Sequence, residues 1–170
     1  MASPHKLPQA ISETRRALEN TASMLLETSE SASPLPELTD KLLSRPPFAF
    51  LHSIVKVLVT SSPLSSVLST TELSTPGNAF TRPQKLAFLI KLFEAISLIT
   101  EERIDVFVVP AKVIAGQDVA QTLLFLRELA KSVKYPAGKI NGAVESVKRD
   151  GEVKIYQRSV RVRNTVVRMQ

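Results

Sequence analysis

The chain has 170 residues, of which 44% are hydrophobic, so it can bury one sizeable core, and we expect one domain with tails. It contains no cysteine, which excludes disulfides and thiolate metal sites and suits the reducing cytoplasm. The net charge is +6, but it is unevenly placed: the chain has 14 cationic and 13 acidic side chains through Lys134, and 8 and 3 from Tyr135 onward. An acidic partner must therefore meet a local patch of the body or the basic tail.

The first 36 residues predict an amphipathic helix followed by a polar linker, Ser29–Pro36. The apolar positions of this helix recur at helical spacing: Ile11, Leu18, Ala22 and Leu25 or Leu26. Met1–Ser12 lacks the apolar centre of a secretory signal, and no stretch approaches the roughly 20 apolar residues of a membrane span. We therefore expect neither export nor membrane insertion.

Residues 38–52, LTDKLLSRPPFAFLH, predict a short helix that is stopped by paired prolines. Thr39 or Asp40 can cap this helix. Pro46-Pro47 forbids another turn, because proline lacks an amide donor and crowds the residue before it. Helical spacing then resumes over Phe48–Thr60, which predicts a further helix.

The middle of the chain alternates between loop and helix signals. Ser61–Arg82 is rich in Ser, Thr and Pro, and we expect a long connection with helical turns only near Leu64–Leu68. Pro83–Thr100 is apolar on almost every side, which predicts a helix at the centre of the core. Asp105–Val109 resembles a buried strand, but Pro110 interrupts it, so we predict a turn and a short helix.

The remaining sequence predicts two helices and a basic end. Gly116 ends the preceding piece, and Asp118 is expected to cap a helix that runs to about Lys134. Gly138–Lys148 predicts one more helix, and the stretch after Asp150 is predicted to be extended or disordered.

The sequence offers little for catalysis. His5 and His52 are the only histidines, and they lie in unlike settings, so a paired imidazole site is not expected. His52 lies on an apolar helix face, where we expect it to satisfy a local hydrogen bond. No phosphate-binding glycine motif is present in the sequence. We expect neither enzymatic activity nor a metal or cofactor.

Basic residues give the stronger functional signal. Arg127, Lys131 and Lys134 fall at spacings of four and three, which predicts a basic stripe on one helix, although such a face can also serve solubility alone. The tail adds five cations after its last acidic residue: Lys154, Arg158, Arg161, Arg163 and Arg168. At about 1 kcal/mol per cation, the tail alone reaches about millimolar affinity for an acidic surface, whereas tail and stripe together approach the micromolar range. The tail is explained equally well as a linker to a further carboxyl-terminal region.

Four stretches resemble one known family: LTDKLLSRPPFAFLH, KLAFLIKL over Lys85–Leu92, PAKVIAG over Pro110–Gly116, and Thr122 with Phe125-Leu126. In order and spacing they are similar to the amino-terminal domain of the family of intraflagellar transport subunit fifty-four, the microtubule-interacting TRAF-binding protein. The resemblance implies an all-α fold with a calponin-homology-like domain over residues 37–134, within a globular body of about 9–134. An amphipathic helix and linker over 1–36 would precede it, and a flexible or extended basic extension or linker over 135–170 would follow.

The resemblance also implies tubulin or microtubule binding, in ciliary cargo transport and cilium assembly, by a subunit of transport complex B. It implies a location in the cytoplasm, the cilium or flagellum, the basal body and the cytoskeleton, and contacts with other complex B subunits through regions beyond residue 170. The candidate tubulin-binding cations inside the matching motifs are Lys41, Arg45, Lys85, Lys91 and Lys112. Arg127, Lys131 and Lys134 join them on the basis of helical spacing.

Two alternatives stay open. The domain could be a scaffold that docks another transport subunit or adaptor through an apolar groove beside Phe48, Phe50 or Phe107, without direct tubulin binding. Nucleic-acid binding is the weaker alternative, because the body is nearly neutral and no recognition motif is evident. Salt-sensitive binding would favour tubulin, and salt-resistant binding that an aromatic substitution abolishes would favour the scaffold.

Overall fold

A computed structural model describes residues 6–150, and every regular element in this range is helical. The longer helices are α1 (Lys6–Thr28), α3 (Phe48–Thr60), α5 (Arg82–Thr100), α8 (Val119–Ser132) and α9 over residues 137–150. Between them lie the short helices α2 (Asp40–Ser44), α4 (Thr70–Ser74), α6 (Ile104–Phe107) and α7 (Pro110–Ile114). The all-α prediction is confirmed for this part of the chain. The predicted extended or disordered stretch after Asp150, with its five cations, lies outside the described residues.

The first helix packs along α8 and follows the predicted pattern, with Leu25 rather than Leu26 in the core. Leu26 is 49% exposed. A buried hydroxyl also joins the two helices, since Thr21 Oγ1 lies 3.4 Å from the carbonyl oxygen of Ala130 and donates to it. None of the helices within residues 6–150 combines the length and the apolar character needed to cross a bilayer.

The proline-terminated segment forms as its sequence predicts. Thr39 is the cap of α2, because its Oγ1 accepts a hydrogen bond from the amide of Leu42 at 3.1 Å. Asp40 instead pairs with Arg15 of α1. Pro47 occupies the N-cap position of α3, so the proline pair both stops α2 and starts the next helix.

The connection between α3 and α5 contains more helix than we predicted. A 3-10 turn over Pro63–Val67 matches the expectation, but α4 follows it and a second 3-10 turn covers Gly77–Ala79. A capping box starts α4: Ser69 Oγ accepts from the Glu72 amide at 3.0 Å, and Glu72 Oε1 accepts from the Ser69 amide at 2.9 Å. The prediction of helical turns only near Leu64–Leu68 is therefore wrong, because the capping box of Ser69 and Glu72 starts a further helix in this connection.

The fifth helix lies at the centre of the core, as predicted, but it is not covered on every side. Phe88, Leu89 and Leu92 are fully buried, whereas Ile90 and Leu98 are exposed. The helix packs against α6, α7 and α8. Its Phe93 ring meets the Phe125 ring of α8 edge-on, with ring centroids 4.9 Å apart.

The core continues past Lys134 into α9, and the predicted helix over Gly138–Lys148 is confirmed. Four apolar side chains of this helix are buried at helical spacing in the same cluster as α5 and α8: Ile140, Ala143, Val144 and Val147. The helix thus packs its apolar face on the body and carries the chain to Asp150, the last described residue.

Candidate functional site

Two of the sequence motifs, residues 38–52 and residues 110–116, meet in the structure at Arg45 and Gly116. Gly116 follows α7 with φ +71°, a left-handed conformation that glycine adopts without steric cost. A Cβ at this position would lie 3.1 Å from Arg45 Nε and 3.5 Å from Arg45 Cγ, so the arginine side chain lies across the glycine. Glycine therefore allows both the turn after α7 and the close approach of an arginine that follows α2.

Lys112 adds a second cation on the α7 side of this contact. Its Nζ lies 3.0 Å from Oδ2 of Asp118, and the two side chains are 50% and 45% exposed. Asp118 occupies the N-cap position of α8, as predicted, but it has φ 50° and its side chain makes no capping bond. Its carboxylate reaches back to Lys112 instead. An ion pair this exposed is weak, so Lys112 remains available at the surface.

Lys41 lies one helical turn before Arg45, is exposed, and lines a shallow cavity of about 560 Å³ beside the start of α1. Neither Lys41 nor Arg45 forms an ion pair within residues 6–150. We call Lys41, Arg45 and Lys112 the α2–α7 cluster. Its positive charge is exposed and only partly compensated, by the carboxylate of Asp118.

Two other predicted cations are engaged within the protein. Lys85 Nζ lies 5.4 Å from the centroid of the Phe48 ring, which is a cation–π distance. Lys91 pairs with Glu72, the residue that completes the capping box of α4. These contacts hold α5 against α3 and α4, so both side chains have a structural role.

The predicted stripe on α8 divides into a structural and an exposed part. Arg127 Nη1 donates to Oγ1 of the buried Thr14 at 2.9 Å, which ties α8 to α1. Lys131 and Lys134 are exposed and form no ion pair within the described range. Because 14 residues of helix span about 20 Å, this pair lies far from the α7–α8 turn.

The aromatic residues considered for a docking groove differ sharply in exposure. Phe48 and Phe50 are buried in the core, whereas Phe107 on α6 is 63% exposed. His52 packs against Phe80 and Phe88, and its Nε2 donates to the carbonyl oxygen of Glu72 at 2.7 Å. His52 is therefore structural, as expected, but its hydrogen-bond partner lies on α4, 20 residues away, rather than locally.

Sequence reasoning missed two partners for physical reasons. Glu72 had a local signal, since Ser69 three residues before it completes a capping box. The contact between Arg45 and Gly116 had none, because it joins residues 71 positions apart through tertiary packing. No cluster of three or more acidic or histidine side chains within residues 6–150 is arranged to hold a metal ion.

Comparison with known proteins identifies related chains. A family model described as the microtubule-binding protein MIP-T3 CH-like domain matches residues 18–135. The chain is 30% identical over 113 residues to TRAF3-interacting protein 1 of Danio rerio, which covers 66% of this chain and 18% of that protein. It is 28% identical over 96 residues to TRAF3-interacting protein 1 of Rattus norvegicus, which covers 56% of this chain and 14% of the relative. The match therefore spans less than a fifth of each relative.

Proposed function

Because the chain belongs to the family of the microtubule-binding MIP-T3 CH-like domain, as its motifs predicted, we propose that it binds tubulin through the α2–α7 cluster. The observation that carries the proposal is the contact of Arg45 with Gly116, which packs the motif that contains Lys41 and Arg45 against the motif that contains Lys112. The proposed role is non-enzymatic. It is the tubulin- or microtubule-binding part of a transport complex B subunit, in ciliary cargo transport and cilium assembly, at the cilium or flagellum, basal body and cytoskeleton.

The electrostatics of the cluster suit an acidic protein surface such as that of tubulin. Lys41 and Arg45 are exposed and form no ion pair within residues 6–150, and Lys112 is half exposed. Lys131 and Lys134 offer further exposed cations at the end of α8.

The test compares tubulin binding by the full chain and by Arg45→Glu/Lys112→Glu at low and at physiological salt. The control variant Lys56→Glu/Lys148→Glu makes the same charge change at two exposed positions on α3 and α9. We expect binding to weaken with salt and to fall at least about tenfold in Arg45→Glu/Lys112→Glu alone. Equal binding by the two variants would show that the cluster is not the site.

Further variants separate the remaining cations. Lys131→Glu/Lys134→Glu reports on the end of α8, and Arg158→Glu/Arg161→Glu/Arg163→Glu reports on the tail. If the unmodified full chain fails to bind tubulin at low salt, the scaffold function takes its place, with another transport subunit or adaptor as partner. The exposure of Phe107 is the observation that favours that second function.

A further inference from the structure

An apolar edge on the short helix α6 is left open by the described residues. Val106 is 61% exposed, Phe107 is 63% exposed, and Val109 at the start of α7 is 40% exposed. Isolated apolar side chains at a surface are ordinary, but three within four positions form a patch of the kind that contacts another segment. We call these three residues the α6 edge.

The chain leaves the described structure beside this edge. Asp150 lines a shallow cavity of about 240 Å³ together with Ser97 and Leu98 of α5 and Asp105 of α6. Leu98 adds a fourth exposed apolar side chain. A chain of 20 residues, the length of 151–170, can span up to about 66 Å when extended. Asp105, two residues before Phe107, lines the same cavity as Asp150, so the distance to be covered is much shorter than this. Reach therefore does not limit a contact between the tail and the α6 edge.

The chemistry of the two segments is complementary. Residues 153–163, VKIYQRSVRVR, interleave apolar side chains with Lys154, Arg158, Arg161 and Arg163, and contain no acidic residue. On the other side, Glu101 and Glu102 follow α5 and Asp105 lies on α6; Glu101 pairs with Lys139 and Asp105 pairs with Arg103, both at the surface. Glu101 and Glu102 are exposed. A segment that is both apolar and basic thus begins next to an apolar surface with three carboxylates, of which two are held only in exposed, weak ion pairs.

We infer that residues 153–163 dock on the α6 edge of their own chain. Their apolar side chains cover Phe107, and their cations meet the carboxylates of the turn before α6. The inference goes beyond the proposed function and does not depend on it. A docked tail withholds its cations from acidic partners, so the tail can add to such binding only after it is displaced.

The chain has no tryptophan, so a single tryptophan reports on the edge. Phe107→Trp in the full chain places the probe on an exposed position, where the substitution leaves the core unchanged. Its emission and its quenching by acrylamide are compared with and without Arg158→Glu/Arg161→Glu/Arg163→Glu. Leu26→Trp is the matched control, because Leu26 is an exposed apolar residue on α1, and its helix packs on α8 rather than on α6.

With the native tail, we expect short-wavelength emission and weak quenching at position 107. Charge reversal should shift the emission to longer wavelength and raise the quenching about twofold, since docking covers one of the two ring faces. The probe at position 26 should not respond. Long-wavelength emission with the native tail overturns the inference. Shielding that disappears on dilution also overturns it, because a second copy of the chain would then be the occupant.

Discussion

Gly77→Ala should destabilise the fold because the second 3-10 turn approaches α3 too closely for a side chain. An added Cβ would lie 2.7 Å from Ala49 Cα and 3.1 Å from His52 Cβ. The first of these atoms is helix backbone, which cannot rotate aside, so the turn must move away from α3. Overpacking of this kind destabilises a protein by about 1–3 kcal/mol. Alanine also lowers the conformational entropy of the unfolded chain, which offsets about 0.4–1 kcal/mol of that loss. We expect a net loss of about 1–2 kcal/mol.

Gly142→Ala is the matched control, and we expect it to raise stability rather than lower it. Gly142 lies inside α9, and a Cβ there meets no atom within 4 Å, so Gly142→Ala should stabilise the protein by about 0.5–1 kcal/mol. Urea unfolding of the full chain measures both changes. Each kcal/mol also moves Tm by about 2–4 °C for a chain of this size. An unfolding midpoint for Gly77→Ala at or above that of the unmodified chain would refute the close approach of turn and helix.

Three further predictions concern stability, and urea unfolding of the full chain tests each. Gly116→Ala should lower the free energy of unfolding by about 1–2 kcal/mol, because φ is +71° at this position. Gly116→Asn should lower it less, since asparagine tolerates the left-handed region, and equal losses of stability would contradict this explanation. Leu89→Ala should cost about 2–5 kcal/mol, as Leu89 is fully buried, and a loss well below this range would place it outside the core. The hydrogen bond from Arg103 lowers the pKa of the Asp105 carboxyl, so the pair stabilises the fold at neutral pH and loses this effect as the pH falls through the lowered value. Asp105→Asn should therefore be less stable than the unmodified chain at pH 7, and the difference should shrink in acid; a difference that is constant with pH would contradict the pairing.

Local rules account for most of the helices. Thr39, the proline pair after Arg45, and Gly116 predicted where helices begin and end, because capping and backbone restriction act over a few residues. The same rules failed for the side chain of Asp118, whose carboxylate pairs with Lys112, six residues earlier on α7, instead of capping its own helix. Local signals cannot rank such competing partners before the fold is known.

The candidate site was harder to predict than the fold because charge grouping depends on tertiary packing. Helical spacing predicted a stripe on α8, yet Arg127 turns to Thr14 of α1 and leaves only Lys131 and Lys134 exposed. Conversely, nothing in the spacing of Arg45 and Lys112 indicates that they belong to one cluster. The family motifs contained both residues but did not group them.

The most direct test of the central claim is the ratio of tubulin affinities for Lys56→Glu/Lys148→Glu and Arg45→Glu/Lys112→Glu at physiological salt. The two variants have equal net charge, so the ratio isolates the position of the cations from their number. We predict that Arg45→Glu/Lys112→Glu binds tubulin at least about tenfold more weakly than Lys56→Glu/Lys148→Glu, which corresponds to about 1.4 kcal/mol. Equal affinities would contradict the assignment of the α2–α7 cluster as the tubulin-binding surface.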